Sequence, residues 1–387
     1  LTVERVNGRE IPASERQSID PVNGLSVRLT IDSNLQAMLE KSLGDQVVAT
    51  GAEGGVAVIM EPGTGNILAM ATYPTFDPNN PFATDDKSKR NTAVTDVFEP
   101  GSTSKVMTMA SVIEEGGANP GTQYTIENRI SRGGTSFKDY VDHPTLRLTL
   151  AGVLAKSSNI GTILASESIG EKKLYEYLQK FGIGQSTGMN FPGESGGKLP
   201  DINNENEWSA TTFPTLAFGQ GLSVNAVQAT SVFATIANDG VRMLPRLIAG
   251  YSNNEGVYEP TTVNEGVRVV SPETAKTVRE MLEGVVSEDG TAKNMQIPGY
   301  RVGGKTGTAN RYDEATGGYS GYTSSFIGMA PAEKPALVMS VSIHNPKTST
   351  YGSVVAGPVF KKVMTYALAH KKVPPSTTKP PKLPVEW

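Results

Sequence analysis

The sequence predicts an α+β fold, because strand-like runs lie near both ends of the chain and helical periodicity dominates between them. Near the N-terminus, residues 55–60 and 66–71 are apolar runs on either side of a Pro62-Gly63-Thr64-Gly65 turn, the pattern of a β-hairpin. Three more strand-like runs follow towards the C-terminus, at about 301–308, 324–329 and 336–344. We therefore expect one sheet assembled from the beginning and the end of the chain.

The N-terminal part supplies a linker, a strand and a helix. Residues 1–24 are polar and rich in turn-forming residues, so we interpret them as a linker or the remnant of a preceding pedestal module. Residues 26–31 are strand-like, and Asp32 or Ser33 can cap the helix that follows. The apolar residues of that helix recur at helical spacing: Leu35, Met38, Leu39 and Leu43. Residues 73–95 are loop-like.

Helical patterns occupy the middle of the chain. One block at about 146–181 is broken near 156–159, and another helix covers about 226–238. The stretch 184–214 between them is rich in Gly, Pro and Asn. Long polar excursions of this kind often carry a functional rim.

The C-terminal part completes the fold. Pro272 is suited to the first turn of a helix, and a last helix is predicted at about 354–368. Residues 373–387 are rich in proline. We therefore predict a globular domain at 25–372, followed by a tail.

Composition excludes several classes of partner and site. The 387-residue chain has a net charge of -4 and no dense basic cluster, which argues against a nucleic-acid partner. It has no cysteine, so disulfides and thiolate metal sites are excluded. The three histidines, His143, His344 and His370, form no zinc-binding motif. We interpret them as structural and expect no metal or cofactor.

No apolar run approaches the length of a membrane span. The chain begins with Leu1, in what resembles the middle of a protein. We expect a processed or truncated chain, which leaves open an N-terminal anchor outside it.

Ser102 and Lys105 are the first candidate catalytic pair. The apolar residues after them recur at helical spacing, so Ser102 lies at or beside a helix start. Three residues are just under one turn, so the Lys105 amine can reach back towards the Ser102 hydroxyl. The helix dipole and any burial lower the pKa of that amine, and a neutral amine can take the serine proton.

The alternative is that Ser102 is only a helix cap. Ser-x-x-Lys also occurs at Ser195 to Lys198, where it runs through two glycines, and at Ser376 to Lys379, in the proline-rich tail. Neither of these can place its lysine by helical geometry. Only the pair at Ser102 has the right context.

Two further stretches carry polar side chains suited to a cleft. Ser157-Ser158-Asn159 lies at the break in a helical block, although polar capping would also explain it. Residues 299–306 formally match a phosphate-binding loop, but the polar stretch 309–321 offers no helix after it. We favour a strand at 305–308 that lines a cleft. Its lysine would supply positive charge, its threonine a hydroxyl, and its glycines room for a ligand backbone.

Ser-x-x-Lys, Ser-x-Asn and Lys-Thr-Gly, in that order, are the signature of penicillin-binding proteins and class A β-lactamases. The chain resembles class B penicillin-binding proteins over nearly its whole length, and the context at 98–102 is most similar to the septal, FtsI-type transpeptidases. The resemblance implies the transpeptidase fold shared with serine β-lactamases. That fold has an antiparallel sheet flanked by helices, with a helical subdomain.

The same resemblance assigns roles to the first two motifs. Ser102 would attack the D-Ala-D-Ala carbonyl of a peptidoglycan stem peptide and hold an acyl-enzyme until an amine displaces it. Lys105 matches the general base. Ser157 and Asn159 match residues that relay protons and bind the peptide.

The Lys-Thr-Gly motif would bind the substrate. Lys305 and Thr306 match residues that engage its carboxylate, and Gly307 completes the motif. The backbone N–H groups of Ser102 and Thr308 match an oxyanion hole, an element worth about 3–4 kcal/mol per donor. β-Lactams would acylate the same serine.

Three alternatives stay open: an elongation-type transpeptidase, a β-lactam sensor and a β-lactamase. A class A β-lactamase needs a glutamate that acts through water. No Glu-x-x-Leu-Asn pattern lies between Ser157 and Lys305, and Glu194 and Glu207 are candidates only by proximity in sequence. We therefore predict slow deacylation and favour a transpeptidase.

The resemblance also implies partners and a location. They are a SEDS-type glycosyltransferase and divisome proteins for the full-length protein, at the extracytoplasmic face of the bacterial membrane.

Overall fold

The computed structural model describes residues 5–6, 9–10, 24–253, 255–313 and 318–387. The chain forms two compact units, Leu1–Leu29 with Ile248–Thr262, and Thr30–Leu247 with Val263–Trp387. The predicted linker at 1–24 lies largely outside the described residues.

The strands are, in chain order, β1 (Arg5–Val6), β2 (Arg9–Glu10), β3 (Ser26–Leu29), β4 (Gly54–Met60), β5 (Ile67–Tyr73), β6 (Gln123–Ile126), β7 (Arg129–Arg132), β8 (Thr135–Lys138), β9 (Leu146–Thr149), β10 (Val241–Arg242), β11 (Ile248–Ser252), β12 (Tyr258–Pro260), β13 (Val267–Arg268), β14 (Gly303–Asp313), β15 (Gly318–Ala330) and β16 (Leu337–His344). The helices are α1 (Ser33–Thr50), α2 (Thr92–Thr95), α3 (Lys105–Glu114), α4 (Leu150–Lys156), α5 (Asn159–Glu167), α6 (Gly170–Lys180), α7 (Thr212–Ala217), α8 (Ala226–Ala237), α9 (Pro272–Val286), α10 (Gly352–Val355) and α11 (Gly357–His370).

The smaller unit is built from strands that are distant in sequence. β3, β11 and β12 form an antiparallel sheet in the order β12-β11-β3. β1 and β2 pair with each other. The sequence predicted the first strand at 26–31, and the structure ends it at Leu29.

The larger unit contains the five-stranded antiparallel sheet that the sequence predicted from its two ends. Its order is β14-β15-β16-β4-β5, so the N-terminal hairpin pairs directly with the last strand. Every residue of β4 is buried, because helices cover both faces. Leu43 of α1 packs over Gly55 on one face, whereas Thr230 of α8 bonds Ser340 of β16 on the other.

Most of the helical block predicted at 146–181 is confirmed, but its first four residues are not helical. Residues 146–149 form strand β9, which pairs with β6, and α4 begins only at Leu150. The Thr149 hydroxyl accepts a hydrogen bond from the Gly152 N–H at 3.0 Å and so caps the helix. The predicted break is confirmed, because α4 ends at Lys156 and α5 begins at Asn159.

The other helices follow the expected pattern closely. Asp32 caps α1, Ser271 caps α9 with Pro272 in its first turn, and α8 spans the predicted residues. The last helix begins slightly later than predicted, at Gly357, after the short α10. The proline-rich residues 373–387 belong to the larger unit.

Candidate active site

Ser102 lies in a 3₁₀ turn, Gly101–Ser104, that leads directly into α3. It is partly exposed, whereas the other three residues of the turn are buried. The prediction of a helix start at Ser102 is therefore confirmed. The serine faces a cleft with a volume of about 390 Å³.

Two glycines allow neighbouring backbones to hold this turn. Gly219 (φ +93°) accepts a hydrogen bond from the Gly101 N–H at 3.0 Å, and a Cβ on Gly219 would lie 2.1 Å from the Gly101 carbonyl oxygen. A Cβ on Gly307 would lie 2.4 Å from Ser325 Oγ and 3.0 Å from the Pro100 carbonyl oxygen. Gly307 therefore makes room for the nucleophile turn. The expectation that the glycines of this motif admit a ligand backbone stays a prediction.

Lys105 is fully buried beneath the cleft, and its amine contacts the second motif. Nζ donates to the Ser157 carbonyl oxygen at 2.6 Å and to Asn159 Oδ1 at 2.8 Å, and Ser157 Oγ lies 3.4 Å away. A neutral amine has two N–H groups, which these two acceptors satisfy, and one lone pair that remains for a proton. Among the described residues, no hydrogen bond joins Lys105 Nζ to Ser102 Oγ.

Burial lowers the pKa of Lys105 from 10.5 to about 7, and the charge of Asp139 opposes that shift. A base with a pKa near the working pH is partly deprotonated and still a competent proton acceptor. Lys105 therefore has the properties that a serine nucleophile needs in its base.

Ser157 joins the two buried lysines. It ends α4 in the left-handed conformation (φ +64°), which is uncommon for a residue other than glycine. This conformation accompanies the contact of its carbonyl with Lys105, while its hydroxyl accepts from Lys305 Nζ at 2.8 Å. One hydroxyl thus lies between two amines, which is suited to proton relay.

Lys305 lies within strand β14, not in a phosphate-binding loop. It pairs with Ile327 of β15, and β14 continues to Asp313. A phosphate-binding loop needs a helix directly after its lysine, so the strand that continues here excludes the nucleotide-binding alternative. Lys305 is fully buried, and its pKa is held well below the ordinary value by burial and, secondarily, by the charge of Lys105.

Thr306 and Thr308 line the cleft from the edge strand of the sheet. Thr306 Oγ1 is 3.1 Å from Thr291 Oγ1, and Thr308 Oγ1 donates to the Thr350 carbonyl oxygen at 2.9 Å. An edge strand leaves alternate backbone N–H groups without a strand partner. Such groups are available to an anionic ligand in the cleft.

The predicted site residues lie together. Ser102, Ser157, Asn159, Thr306 and Thr308 line the cleft, with Lys105, Lys305 and Gly307 directly behind them.

Many residues that line the cleft were not predicted from the sequence. The unpredicted lining residues include Asp139, Tyr140, His143, Gln220, Tyr322 and Tyr351. The rings of Tyr140 and Tyr351 meet edge to face with centroids 5.8 Å apart, and Tyr140 Oη is 3.0 Å from Thr350 Oγ1. These residues lie mostly in loops and at strand edges outside any motif, so no local signal marks them.

The comparisons with known proteins agree with this geometry. The family model of the penicillin binding protein transpeptidase domain matches residues 55–365. The chain belongs to this family.

Relatives and solved structures of penicillin-binding proteins show how similar the chain is to other members of the family. It is 37% identical to penicillin-binding protein PbpB of Mycolicibacterium smegmatis over 98% of this chain and 60% of that protein. It is 34% identical to the probable peptidoglycan D,D-transpeptidase PenA of Neisseria flavescens over 95% of this chain and 87% of that protein. A crystal structure of penicillin binding protein 3 from Mycobacterium tuberculosis, complexed with ampicillin, superimposes with a TM-score of 0.89 at 34% identity, covering 96% of this chain and 84% of that one.

The chain thus spans about three fifths of the length of PbpB, a penicillin-binding protein. Among its described residues, no helix has the length and apolar character that a bilayer crossing requires.

Proposed function

We propose that this chain is the catalytic domain of a peptidoglycan D,D-transpeptidase that is acylated at Ser102. The observation that carries the proposal is the fully buried Lys105 amine, with a pKa of about 7, behind a partly exposed serine. A serine needs a base of this kind to become a nucleophile. The chain is similar to relatives named peptidoglycan D,D-transpeptidase, which supports peptidoglycan as the substrate class.

In the first half-reaction, Ser102 Oγ bonds to the carbonyl carbon of the penultimate D-Ala, and the C–N bond to the terminal D-Ala breaks. Lys105 takes the serine proton and returns it through the Ser157 hydroxyl to the leaving amine, so that both Lys105 and Ser157 end the step as they began it. In the second half-reaction, an amine from another peptidoglycan strand attacks the ester carbonyl and a new amide forms. The C–O bond to Ser102 breaks, and the proton of the amine returns to Ser102 Oγ. The backbone N–H groups of Ser102 and Thr308 bind the oxyanion in both steps.

Lys305 and Thr306 bind the substrate carboxylate in this proposal. Without a nearby anion, burial disfavours the charged form of Lys305. A carboxylate in the cleft would favour that form and raise the pKa of the lysine. Substrate binding would thus supply the charge that completes the site.

β-Lactams acylate the same serine in this proposal. Attack opens the lactam ring, so the leaving nitrogen stays tethered within the adduct and does not depart. The relative from Mycobacterium tuberculosis was crystallised with ampicillin, which supports this extension.

The contacts of the acidic residues support slow deacylation. Asp139 is the one carboxylate among the described residues that line the cleft, and it already accepts from Ile160 N–H and faces His143. Glu194 binds the Thr187 N–H, and Glu207 lies near Lys198, so both are engaged outside the cleft lining. We therefore favour a transpeptidase over a β-lactamase.

A septal role, SEDS and divisome partners, and an extracytoplasmic location belong to the same proposal. They rest on the FtsI-type context at 98–102 and on relatives that are penicillin-binding proteins. Imaging a fluorescent fusion of the full-length protein tests the role. Enrichment at the division septum is expected, and signal along the lateral wall would indicate the elongation-type alternative.

The acyl-enzyme is tested by intact-protein mass spectrometry after mixing the chain with a penicillin. We expect a gain of one whole drug molecule that persists for hours and is absent in Ser102→Ala. A gain that disappears while drug is consumed would indicate a β-lactamase. Absence of any adduct in folded wild-type protein would contradict the proposal.

A further inference from the structure

His143 lines the catalytic cleft, although its sequence context indicated only a structural role. Its side chain is 13% exposed, and both ring nitrogens face oxygen acceptors. Nε2 is 3.1 Å from Asp139 Oδ2, and Nδ1 is 2.7 Å from the Pro144 carbonyl oxygen. A neutral imidazole has one N–H and can donate to only one of these acceptors, whereas an imidazolium donates to both. In either form, an N–H on Nε2 can donate to the Asp139 carboxylate.

Asp139 connects this ring to α5, whose first residue contacts the Lys105 amine. Its second oxygen, Oδ1, accepts from the Ile160 N–H in the first turn of α5 at 3.0 Å. The preceding carbonyl, of Lys138, accepts from Asn159 Nδ2 at 3.1 Å. Asn159 Oδ1 in turn accepts from Lys105 Nζ at 2.8 Å. The end of β8 thus fixes both the start of α5 and the amide that holds the amine.

Few other charges act on this group of residues. Asp142, in the same loop, lies 3.7 Å from both Arg129 of β7 and Lys138 of β8, and its side chain is largely exposed. Lys305 lies on the far side of Ser157. Asp139 is the carboxylate whose field acts on Lys105, and His143 is the side chain that faces that carboxylate directly.

We propose that His143 and Asp139 are a positioning pair for acylation. Asp139 holds the start of α5 so that Asn159 and Ser157 retain the Lys105 amine. His143 holds the carboxylate in this position through the contact between Nε2 and Oδ2. This inference rests on the proposed role of Lys105 as the base.

The two members of the pair should act differently. Asp139→Asn removes a negative charge that favours the protonated amine, so the pH midpoint of acylation should fall by about 1 pH unit. His143→Gln keeps that carboxylate, so its midpoint should stay at the wild-type value while its plateau rate falls by about 10-fold, because the carboxylate is no longer held in place.

The experiment measures the second-order rate constant of acylation by a penicillin from about pH 5 to 9 for the whole chain. At the plateau, Asp139→Asn should also be slower by about 10-fold, because the charge-assisted bond to α5 is lost. His370→Gln is the matched control. His370 Nε2 is 2.9 Å from Asp32 Oδ2, a similar pair outside the cleft lining, so its midpoint should equal that of the wild type.

The outcomes separate this inference from the proposed function. If wild-type protein is not acylated, the proposed function fails. If it is acylated but Asp139→Asn keeps the wild-type midpoint, or His143→Gln keeps the wild-type plateau rate, the positioning pair is overturned.

A second measurement observes the ring directly in wild-type protein. The chain has three histidines, so their ring ¹⁵N signals can be resolved, with His143 assigned from its loss in His143→Gln. A proton on Nε2, the nitrogen that faces Asp139, is expected. A ring whose only proton lies on Nδ1 would overturn the pair.

Discussion

At the scale of the residue, the notable feature is that two fully buried lysines converge on one hydroxyl, that of Ser157. Burying a charge is costly unless the group is paired or becomes neutral. The structure has no carboxylate bonded to either amine among the described residues, and burial instead favours the neutral form of both. A site of this kind lowers the folding stability of the protein and in return makes its side chains reactive.

The depressed pKa of Lys105 predicts how acylation depends on pH. The base must be neutral, so the acylation rate constant should rise with pH and level off above about pH 7, near the pKa of Lys105. Lys105→Arg should abolish this reaction, because a guanidinium does not release its proton. Stopped-flow acylation with a chromogenic cephalosporin measures the profile. A rate that stays flat between about pH 5 and 9 would exclude Lys105 as the titrating base.

Motif residues could be predicted from sequence, but the residues that hold them could not. Ser102, Lys105 and Lys305 lie in patterns of fixed spacing, and all three are at the site. Asp139 and His143 contact each other but match no known motif, and the other partner of each is a backbone group, the Ile160 N–H and the Pro144 carbonyl. Backbone partners leave no trace in side-chain spacing.

At the scale of the element, the nucleophile turn is held by backbone packing on two sides. Gly219 contacts it from the loop after α7, and Gly307 contacts it from β14. Neither contact tolerates a Cβ without movement of a backbone. The geometry at Ser102 therefore depends on the absence of two side chains.

Substituting alanine at Gly219 tests this dependence. Gly219→Ala combines a positive φ with overpacking, so we expect a loss of about 2–5 kcal/mol in the free energy of unfolding and much slower acylation. Gly116→Ala is the matched control, since Gly116 also has a positive φ (+70°) but no atom within 4 Å of its Cβ position. It should lose only about 1–2 kcal/mol and acylate normally. Equal effects of the two substitutions, measured by urea unfolding and mass spectrometry, would refute the packing argument.

Most helices could be predicted because their caps and periodicity are local. Asp32, Ser271 and Pro272 mark helix starts without help from tertiary structure. Residues 146–149 were predicted as helix because their apolar residues merge with those of α4. Only pairing with β6, some 20 residues earlier, makes them a strand.

At the scale of the whole molecule, the C-terminal residues reach the helix that carries Ser157. The carbonyls of Pro384 and Val385 accept from the Thr149 hydroxyl and N–H, at 2.5 and 3.1 Å. Arg147 lies over the ring of Trp387 at 5.2 Å. Proline content alone predicted a separate tail and gave no indication of this docking.

Deleting residues 384–387 should therefore destabilise the larger unit. The deletion removes the two hydrogen bonds from Thr149, those from the Trp387 N–H to Arg147 and from Trp387 Nε1 to Tyr124, and one cation–π contact. We expect a decrease of about 3–5 kcal/mol in the free energy of unfolding. Trp387→Ala, which keeps the backbone contacts, should lose about 1–2 kcal/mol. Chemical denaturation of both variants provides the measurement. Unchanged stability of the deletion would mean that these contacts contribute nothing.

The pairing of β4 with β16 has a consequence for synthesis. Met60 pairs with Val338, and 338 - 60 = 278, so 278 residues separate the two partners. At about 5–20 residues per second, a ribosome needs roughly 15–55 s to make that interval. During this time β4, seven residues that are all buried in the folded protein, has no strand on its β16 side. An incomplete chain in that state exposes apolar surface and an unpaired strand edge, so it is prone to aggregate until the C-terminal strand is present.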